Sequence, residues 1–308
     1  MQVHRAIEAL PNFQNAVLTI GTFDGVHKGH QQIIKAMVAM AKEVAGETVI
    51  ITFDPHPRKI VQPDKSLELI NTLDEKIQLI EQHGIDHFVI VPFTETFSQQ
   101  SAEAYVQHFL VKNFHPHTII IGYDHHFGKG REGNFDLLAK LADIYRYQLL
   151  EIPKHVIDEI AISSTKIRNA LWESDTDTAN KLLGYDFFFE GEVIYGDQLG
   201  RKLGYPTANL SYVDPDKIHL GQGVYAVMVE MSSKIYKGMM SIGNRPTITG
   251  IDERVEVNIF DFDQDIYGEK IKVTVKKYLR GQEKYPSLDL LIEQLHKDKT
   301  NSLQILNP

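Results

Sequence analysis

The first half of the chain alternates short apolar runs with amphipathic segments. Apolar runs of strand length occupy residues 16–20, 48–53, 87–92, 118–121 and 147–152. Apolar residues at helical spacing follow residue 30 and recur over 73–83, 102–114 and 135–145. This alternation predicts an open, parallel α/β sheet, with ligands bound at the carboxyl ends of its strands.

The pattern changes near residue 184, where successive β-rich runs replace the alternation. These runs occupy residues 187–195, 223–231, 236–242, 255–260 and 271–279, with turns marked by Gly, Asp and Pro. So many strands with so few helices predict a closed or partly closed antiparallel barrel. An amphipathic helix over 288–296 is expected to pack across it. We therefore expect two domains, residues 1–184 and 185–308.

Composition is that of an ordinary soluble globular protein and limits the available chemistry. A chain of 308 residues suits about two domains, and 43% hydrophobic with 24% charged residues is typical. The absence of cysteine excludes disulfides, thiolate zinc sites and thiol nucleophiles. The amino terminus has no signal-peptide core, and no apolar run approaches the ~18 residues of a membrane span, so we expect a cytoplasmic location.

The charge balance indicates small ligands. A formal net charge of -9 argues against general nucleic-acid binding, because nucleic-acid backbones are held by clustered Lys and Arg. A small anionic ligand needs only a local cluster of donors. We expect small-molecule partners, no nucleic acid and no membrane, whereas the oligomeric state is not readable from the sequence.

Residues 21–30, GTFDGVHKGH, join a predicted strand to a predicted helix through a Gly-rich turn. A helix N-terminus combines unpaired N–H groups with the positive end of the helix dipole, and it accepts an anion readily. Gly21, Gly25 and Gly29 let the backbone approach a ligand closely. His27 and His30 are expected to point to one side and to donate hydrogen bonds to phosphate oxygens.

This turn resembles the HxGH nucleotidyltransferase signature, in its flavin-nucleotide adenylyltransferase version. Residues 162–168, ISSTKIR, match a second signature of that superfamily, although residues 163–165 read alone are equally a helix cap. The resemblance implies a Rossmann-like domain in which His27, His30 and Arg168 are catalytic and grip the ATP phosphates. It implies further ATP contacts from Gly21, Phe23, Asp24, Gly25, Gly29, Ser164 and Thr165.

Two more turns follow predicted strands in the first half, at residues 53–57 and 122–124. The resemblance implies that Asp124 lies near the nucleotide or flavin. It makes Lys129 and Arg131 candidate phosphate partners of FMN, with Asp54 and His56 as further FMN contacts. A turn fixed only by its prolines is an equal alternative for residues 53–57.

Residues 128–133 also satisfy GxGxxG, the dinucleotide-binding pattern. In that fingerprint the first Gly follows the strand directly, whereas residues 124–127 intervene here and two charged residues occupy positions where small ones are usual. We interpret the segment as a flexible basic loop over the flavin-nucleotide site, similar to the family's FGxxRxG stretch. His125 departs from that family, in which we expect an aromatic residue.

Residues 196–209, GDQLGRKLGYPTAN, flank a basic pair with two Gly-rich turns and lack the GK[ST] of a Walker loop. The stretch resembles the riboflavin kinase motif GxxxGRxLGxPTAN, and residues 223–225 and 241–247 match that family in order. The resemblance implies a riboflavin kinase-like barrel in which Thr207 and Asn209 hold Mg2+. The implied ATP-binding residues are Gly196, Gly200, Lys202, Gly204, Pro206, Thr207 and Asn209.

Phosphoryl transfer to an alcohol benefits from a carboxylate that accepts the hydroxyl proton. Glu256 matches the family's VExxI glutamate, so the resemblance makes it the general base, against the alternative of an ordinary outward-facing strand residue. Arg280 is expected to reach the flavin or its ribityl phosphate. Gln282 replaces an acidic residue that we expect at this edge of the pocket.

Three candidate metal sites, two histidine pairs and one calcium-like loop, are rejected. The histidine pairs at 115 and 117 and at 125 and 126 point apart on a strand or loop and lack a third ligand. Residues 261–265 mimic the start of a calcium loop. Gly268, however, does not stand at the position of the loop's turn glycine, and Lys272 occupies the position of its closing glutamate.

The sequence therefore predicts bifunctional flavin-nucleotide synthesis. The second half is expected to phosphorylate riboflavin with ATP, and the first half to transfer an adenylyl group from ATP to FMN, giving FAD and pyrophosphate. One alternative is nucleotidyl transfer to another phosphorylated substrate, with the barrel as a passenger. The other is a non-catalytic flavin carrier or regulator.

Overall fold

The computed structural model describes residues 1–123, 125–152, 163–196, 200, 203–247 and 250–307, without the side chains of 245–247 and 250–252. The chain forms two compact units, Met1–Ser164 and Thr165–Pro308. Among the described residues, no helix is both long and apolar enough to cross a membrane.

The first unit is built on a six-stranded parallel sheet in the order β1-β4-β3-β2-β5-β6. Its strands are β1 (Gln2–His4), β2 (Val17–Ile20), β3 (Thr48–Asp54), β4 (His87–Pro92), β5 (Thr118–Gly122) and β6 (Gln148–Ile152). The predicted open α/β sheet is confirmed. The added strand β1 is too short and too exposed to leave an apolar run in the sequence.

Helices cover the sheet. They are α1 (Lys28–Glu43), α2 (Pro57–Val61), α3 (Leu73–Glu81), Glu95–Ser98, Ala102–Ala104, Lys112–Phe114 and Phe135–Tyr145, with a π-helical segment Tyr105–Val111 and 3-10 turns at Ile7–Ala9 and Lys129–Arg131. The predicted helix over 102–114 is therefore continuous but π-helical in its middle.

Strand β2 is the centre of the sheet and is fully buried. The chain runs from β2 through β3 to β4 on one side, while β5 and β6 lie on the other side. The strand order therefore reverses at β2, and open α/β sheets bind ligands in the crevice beyond such a switch point. Residues 21–27 leave β2 at this point.

The second unit contains a closed antiparallel barrel in the order β10-β11-β8-β7-β12-β9, which confirms the predicted barrel. Its strands are β7 (Phe188–Ile194), β8 (Ala208–Tyr212), β9 (Gly223–Met231), β10 (Lys234–Thr247), β11 (Gly250–Ile259) and β12 (Lys270–Arg280), and its helices are Ser164–Trp172, Thr176–Leu183 and Leu288–Leu306. Strand β8 was missed because Leu210 is its one large buried side chain.

The barrel has an apolar interior and a partly covered exterior. Val193, Leu210, Val255 and Ile242 are paired in register across four strands and are all buried. The C-terminal helix covers part of the outer face, where its Leu295 and Leu303 pack against a cluster of Tyr205, Met239 and Phe260. This helix was predicted to end at residue 296 but continues to Leu306. The prediction was too short because the last turns of the helix are mostly polar.

Candidate active sites

The turn after β2 is tightly constrained. Phe23, Gly25 and Val26 have positive φ angles of 49°, 91° and 38°. A β-branched residue rarely adopts such a backbone, and residues held this way by their surroundings concentrate at functional sites. Phe23 and Val26 are buried, so packing holds the turn in place. His27 then caps α1, with its Nδ1 accepting the backbone N–H of His30 at 3.3 Å.

The two histidines lie together, as predicted. Their rings stack with centroids 3.7 Å apart, and the Phe23 ring lies 5.0 Å from that of His30. Burial lowers the pKa of His27 to about 4. Burial, His27 and Lys76 lower the pKa of His30 well below its usual value. Both imidazoles are therefore neutral at pH 7, and each keeps one N–H to donate. The buried Nδ1 of His30 has no hydrogen-bond partner in the described part of the chain.

Asp24 joins the turn to two other segments. Its Oδ1 accepts the backbone N–H groups of Ile70 at 2.9 Å and Asn71 at 3.3 Å, just before α3. Its carbonyl accepts the hydroxyl of Ser164 at 2.9 Å, which brings the second signature against the first. The prediction that Asp24 and Ser164 contact ATP stays a prediction, and so does that for Thr165 and Arg168 on the helix Ser164–Trp172.

Lys76 was not singled out from the sequence, because α3 reads as an ordinary amphipathic helix. It is 6% exposed, and it lies in the first turn of α3. Burial lowers its pKa, against the attraction of Asp24 and then Asp54. The burial of this ammonium becomes visible only in the folded chain, in which the residues just before α3 bond to Asp24.

The residues expected to contact FMN lie on exposed turns. Asp54 ends β3, and the side chain of His56 caps α2 by accepting the N–H of Arg58 at 3.1 Å. Lys129 and Arg131 are exposed on a 3-10 turn. Phe127 and Gly133 close this turn through two backbone hydrogen bonds of 3.1 and 2.9 Å. Asp124 lies outside the described residues.

Aromatic side chains accompany these turns, and the sequence analysis did not predict them as a group. The Phe97 ring lies 5.7 Å from Phe53 and 5.9 Å from Tyr105, and Tyr105 lies 5.1 Å from Phe127. His125 contacts the Phe127 ring at 5.8 Å, and burial lowers the pKa of His125 to about 4. A neutral His125 therefore extends the aromatic cluster. It does so at the position where the family pattern predicts an aromatic residue.

In the second unit, strand register brings three polar side chains together. Glu256 on β11 pairs with Asn209 on β8 and with Ser241 on β10. Directly opposed residues share a face and bring their Cβ atoms to about 5 Å. Val255 and Val257 point into the barrel, so the row Asn209–Glu256–Ser241 lies on the outer face. Glu256 thus faces outward, as the alternative held, but it stands between an amide and a hydroxyl. Ser241 was missed because register is not readable from one strand alone.

Two glycines allow the backbone to lie close to Asn209 and to residues 205–207. A Cβ at Gly196 would lie 2.1 Å from the Asn209 side-chain nitrogen. A Cβ at Gly200 would lie 2.2 Å from the Tyr205 carbonyl oxygen and 3.4 Å from the Thr207 hydroxyl. The Gly200 carbonyl in turn accepts the N–H of Tyr205 at 2.9 Å. Gly204 and Pro206 lie in the same turn, whereas Lys202 falls outside the described residues.

Thr207 and Asn209 are suited to Mg2+. Magnesium prefers oxygen ligands, keeps several waters and usually takes few protein ligands besides substrate phosphates. The Thr207 hydroxyl, the Asn209 amide oxygen and the neighbouring Glu256 carboxylate meet that preference. No group of three or more His, Cys, Asp or Glu suited to a metal occurs in the described ranges.

Arg280 and Gln282 lie at the end of β12. Arg280 forms a forked ion pair with Asp298 of the C-terminal helix, with N–O distances of 3.0, 3.1 and 2.7 Å. Its contact with flavin stays a prediction, but most of the guanidinium fork is already engaged. Gln282 donates to the Ser241 hydroxyl at 2.8 Å and the Ile242 carbonyl at 2.9 Å. The uncharged amide thus holds Ser241 beside Glu256.

Both halves of the chain match known families. Residues 10–166 match the family model described as FAD synthetase, and residues 183–306 match the one described as riboflavin kinase. A crystal structure of a protein from Streptococcus pneumoniae, described as a macrolide-efflux protein, has a TM-score of 0.88 and 31% identity and covers 97% of this chain and 98% of that one.

Curated relatives match over nearly the whole length. A bifunctional riboflavin kinase/FMN adenylyltransferase from Listeria monocytogenes is 38% identical and covers 94% of this chain and 91% of its own. The protein of that name from Escherichia coli K12 is 34% identical, with 93% and 91% covered. That from Buchnera aphidicola is 37% identical, with 97% and 96% covered. Because two family models match in order and these relatives span both units, the chain belongs to the bifunctional riboflavin kinase/FMN adenylyltransferase family.

Proposed function

We propose that the two reactions of the family divide along the chain, with FMN adenylylation in residues 1–184 and riboflavin phosphorylation in residues 185–308. The chain phosphorylates riboflavin to FMN and then adenylylates FMN to FAD, using ATP in both steps. The observation that carries the proposal is the register that sets Glu256 between Asn209 and Ser241. We also propose a cytoplasmic location, because both steps consume ATP.

In the kinase reaction, Glu256 is the general base. Its carboxylate accepts the proton of the ribityl 5′-hydroxyl as that oxygen attacks the γ-phosphorus of ATP, and ADP leaves. The backbone of the turn containing Gly196 and Gly200 holds the nucleotide, with Lys202, Gly204 and Pro206. Mg2+, held by Thr207 and Asn209, would supply neutralisation of the phosphate charge. Arg280 lies at the flavin edge of this site.

In the adenylyl transfer, an oxygen of the FMN phosphate attacks the α-phosphorus of ATP, and pyrophosphate leaves. The nucleophile is already an anion, so no general base is needed, and catalysis reduces to positioning and charge neutralisation. The N–H groups of the neutral His27 and His30 donate to phosphate oxygens at the N-terminus of α1. Ser164, Thr165 and Arg168 close over the triphosphate. Gly21, Phe23, Asp24, Gly25 and Gly29 shape the turn that receives ATP.

The site must accommodate both parts of FMN, its flat ring system and its anionic phosphate. The aromatic cluster that includes Phe97, Tyr105 and Phe127 offers a surface for the flat ring system. Lys129 and Arg131 offer cations for the phosphate on the adjacent turn. Asp54, His56 and Asp124 complete the FMN contacts that we propose.

Paired substitutions test the division of labour. Glu256→Gln keeps the shape of the side chain but cannot accept the proton, so riboflavin phosphorylation should fall by about 100-fold or more while FMN adenylylation is unchanged. His30→Ala should have the reverse effect. Each reaction is measured separately by chromatography of the flavins, starting from riboflavin or from FMN with ATP and Mg2+.

Matched surface variants serve as controls. Glu230→Gln on β9 and His108→Ala remove the same groups at exposed positions and should leave both rates unchanged. If either Glu256→Gln or His30→Ala disables both reactions in a folded protein, the assignment of two separate sites is wrong. Tight flavin binding without any turnover in the wild type would instead favour a flavin carrier.

A further inference from the structure

Lys76 carries an ammonium group into the interior of the first unit. Lys76 follows directly on a reciprocal cap that fixes where α3 begins. Thr72 Oγ1 accepts the N–H of Glu75 at 3.2 Å, and the Glu75 carboxylate accepts the N–H of Thr72 at 3.0 Å. Lysine is among the residues least often buried, because removing its charge from water is costly. At 6% exposed, Lys76 bears that cost.

The charges around Lys76 belong to the adenylyl-transfer site. Asp24, in the turn after β2, accepts the backbone N–H groups of Ile70 and Asn71 at 2.9 and 3.3 Å, which places the start of α3 against that turn. Asp24 and Asp54, at the end of β3, both attract the ammonium. His30 lies close enough for the ammonium to oppose its protonation. Lys76 thus helps to keep His30 neutral, and the lysine itself supplies positive charge next to the histidine pair.

Asp24 is itself buried, at 1% exposed, and it attracts the Lys76 ammonium. Asp24 already accepts two backbone N–H groups, from Ile70 and Asn71. Asp54 is exposed to water at the end of its strand. The ammonium is therefore held out of water beside a carboxylate of the turn that carries the histidine pair. A buried cation is most valuable where negative charge develops away from water.

We propose that Lys76 binds the ATP phosphates at the adenylyl-transfer site and neutralises the charge that develops on the leaving pyrophosphate. The inference rests on the proposed adenylyltransferase function of this part of the chain. As the FMN phosphate oxygen forms its bond to the α-phosphorus, the bond from that phosphorus to the oxygen bridging to the β-phosphorus breaks. The electron pair of the broken bond leaves with pyrophosphate, and no proton is transferred.

The test is Lys76→Met, which keeps the length of the side chain and removes its charge. The kcat of FMN adenylylation should fall by about 100-fold, and the affinity for inorganic pyrophosphate, measured by calorimetry, by about 10-fold. FMN affinity and riboflavin phosphorylation should not change. Lys76→Arg should recover part of the lost kcat. Lys140→Met, which removes an exposed lysine from the helix Phe135–Tyr145, is the matched control.

Two results would overturn the inference. One is adenylylation by Lys76→Met within about threefold of the wild-type rate. The other is an equal loss of FMN and pyrophosphate affinity, as expected of a structural support. If the wild type itself makes no FAD from FMN and ATP, the proposed function fails rather than the role of Lys76.

A measurement on the wild type covers the case in which Lys76→Met does not fold. The native protein is treated with an amine-acylating reagent, and the labelling of Lys76 and Lys140 is compared by mass spectrometry. Pyrophosphate should protect Lys76 but not Lys140, and adenosine should protect neither. Labelling of Lys76 that pyrophosphate leaves unchanged would contradict the proposal.

Discussion

At the scale of single residues, the strained turn after β2 and the neutral histidines belong together. Val26 holds a φ of 38° so that His27 can follow it directly as the cap of α1. The packing that enforces this backbone also removes the histidine rings from water, and desolvation then disfavours their charged forms. Backbone strain and imidazole neutrality therefore have the same origin, the burial of this turn.

Neutral buried histidines make the stability of the protein sensitive to acid. In the unfolded chain His27 binds its proton near pH 6.5, but in the folded chain only at about pH 4. The unfolded state therefore binds more protons between these values, and the free energy of unfolding should fall as the pH drops from 6.5 to 4. His27 alone accounts for a loss of about 3 kcal/mol. Denaturant unfolding at a series of pH values measures it.

His27→Asn is the control for this pH dependence. Asparagine caps a helix as well as any residue and does not titrate. The variant should therefore lose less stability than the wild type between pH 6.5 and 4, while His125 and His30 preserve the remaining slope. Parallel curves for the two proteins would show that His27 is not the titrating group.

The roles of single residues are also what the sequence alone predicts least well. His27 and His30 were predicted to lie together because their spacing on a helix fixes that. Lys76 and Ser241 were not predicted, because their significance depends on neighbours that are distant in sequence: Asp24 and Asp54 for the lysine, and Glu256 for the serine. The partner of Arg280 was not predicted either, because Asp298 lies beyond residue 296, where the C-terminal helix was predicted to end.

At the scale of elements, the C-terminal helix is joined to the barrel by polar contacts as well as by packing. His296 accepts or donates a hydrogen bond of 2.5 Å with the Tyr205 hydroxyl, next to Pro206 and Thr207. Asp298 holds Arg280 at the end of β12. The helix thus contacts the kinase motif at Tyr205 and the end of β12 at Arg280.

Removing the Asp298 charge should weaken the contact with Arg280. The Asp298 side chain is 2% exposed and that of Arg280 is 18% exposed. Asp298→Asn leaves a guanidinium largely out of water without its partner, so the free energy of unfolding of the second unit should fall by about 3 kcal/mol. The single tryptophan, Trp172, lies in this unit, and its fluorescence during denaturation measures the effect.

The same pair tests the predicted flavin contact of Arg280. The double variant Arg280→Met with Asp298→Leu replaces the ion pair by apolar groups and should recover much of the stability that Asp298→Asn loses. If Arg280 contacts flavin, the KM for riboflavin rises in the double variant even though the barrel is stable. An unchanged KM would restrict Arg280 to a positioning role.

The elements themselves were largely predictable. Strands β2 to β6 of the parallel sheet were found, chiefly because strands buried on both faces read as continuous apolar runs, whereas the short, exposed β1 was missed. Strand β8 and the last turns of the C-terminal helix were missed, since a strand with one inward apolar residue and a polar helix end leave no periodic signal. Barrel closure was left open in the sequence, because only strand pairing decides it.

At the scale of the whole molecule, the product of one site is the substrate of the other. The proposed kinase residues, from Gly196 to Glu256, lie in the second unit, and His27 and His30 lie in the first. FMN is a small anion that dissolves freely in water. Nothing in the two reaction schemes requires that one copy of the chain perform both reactions on the same flavin molecule.

Mixing the two variants, each of which lacks one of the two activities, tests this separation. Glu256→Gln alone should form no FMN from riboflavin, and His30→Ala alone should accumulate FMN without FAD. Together, in one solution with riboflavin, ATP and Mg2+, they should form FAD after a lag during which FMN builds up, because FMN released by one chain binds the intact adenylylation site of another. Chromatography of samples taken over time follows both flavins. If the mixture accumulates FMN but never FAD, while Glu256→Gln still adenylylates added FMN, the flavin must remain with one chain between the two reactions.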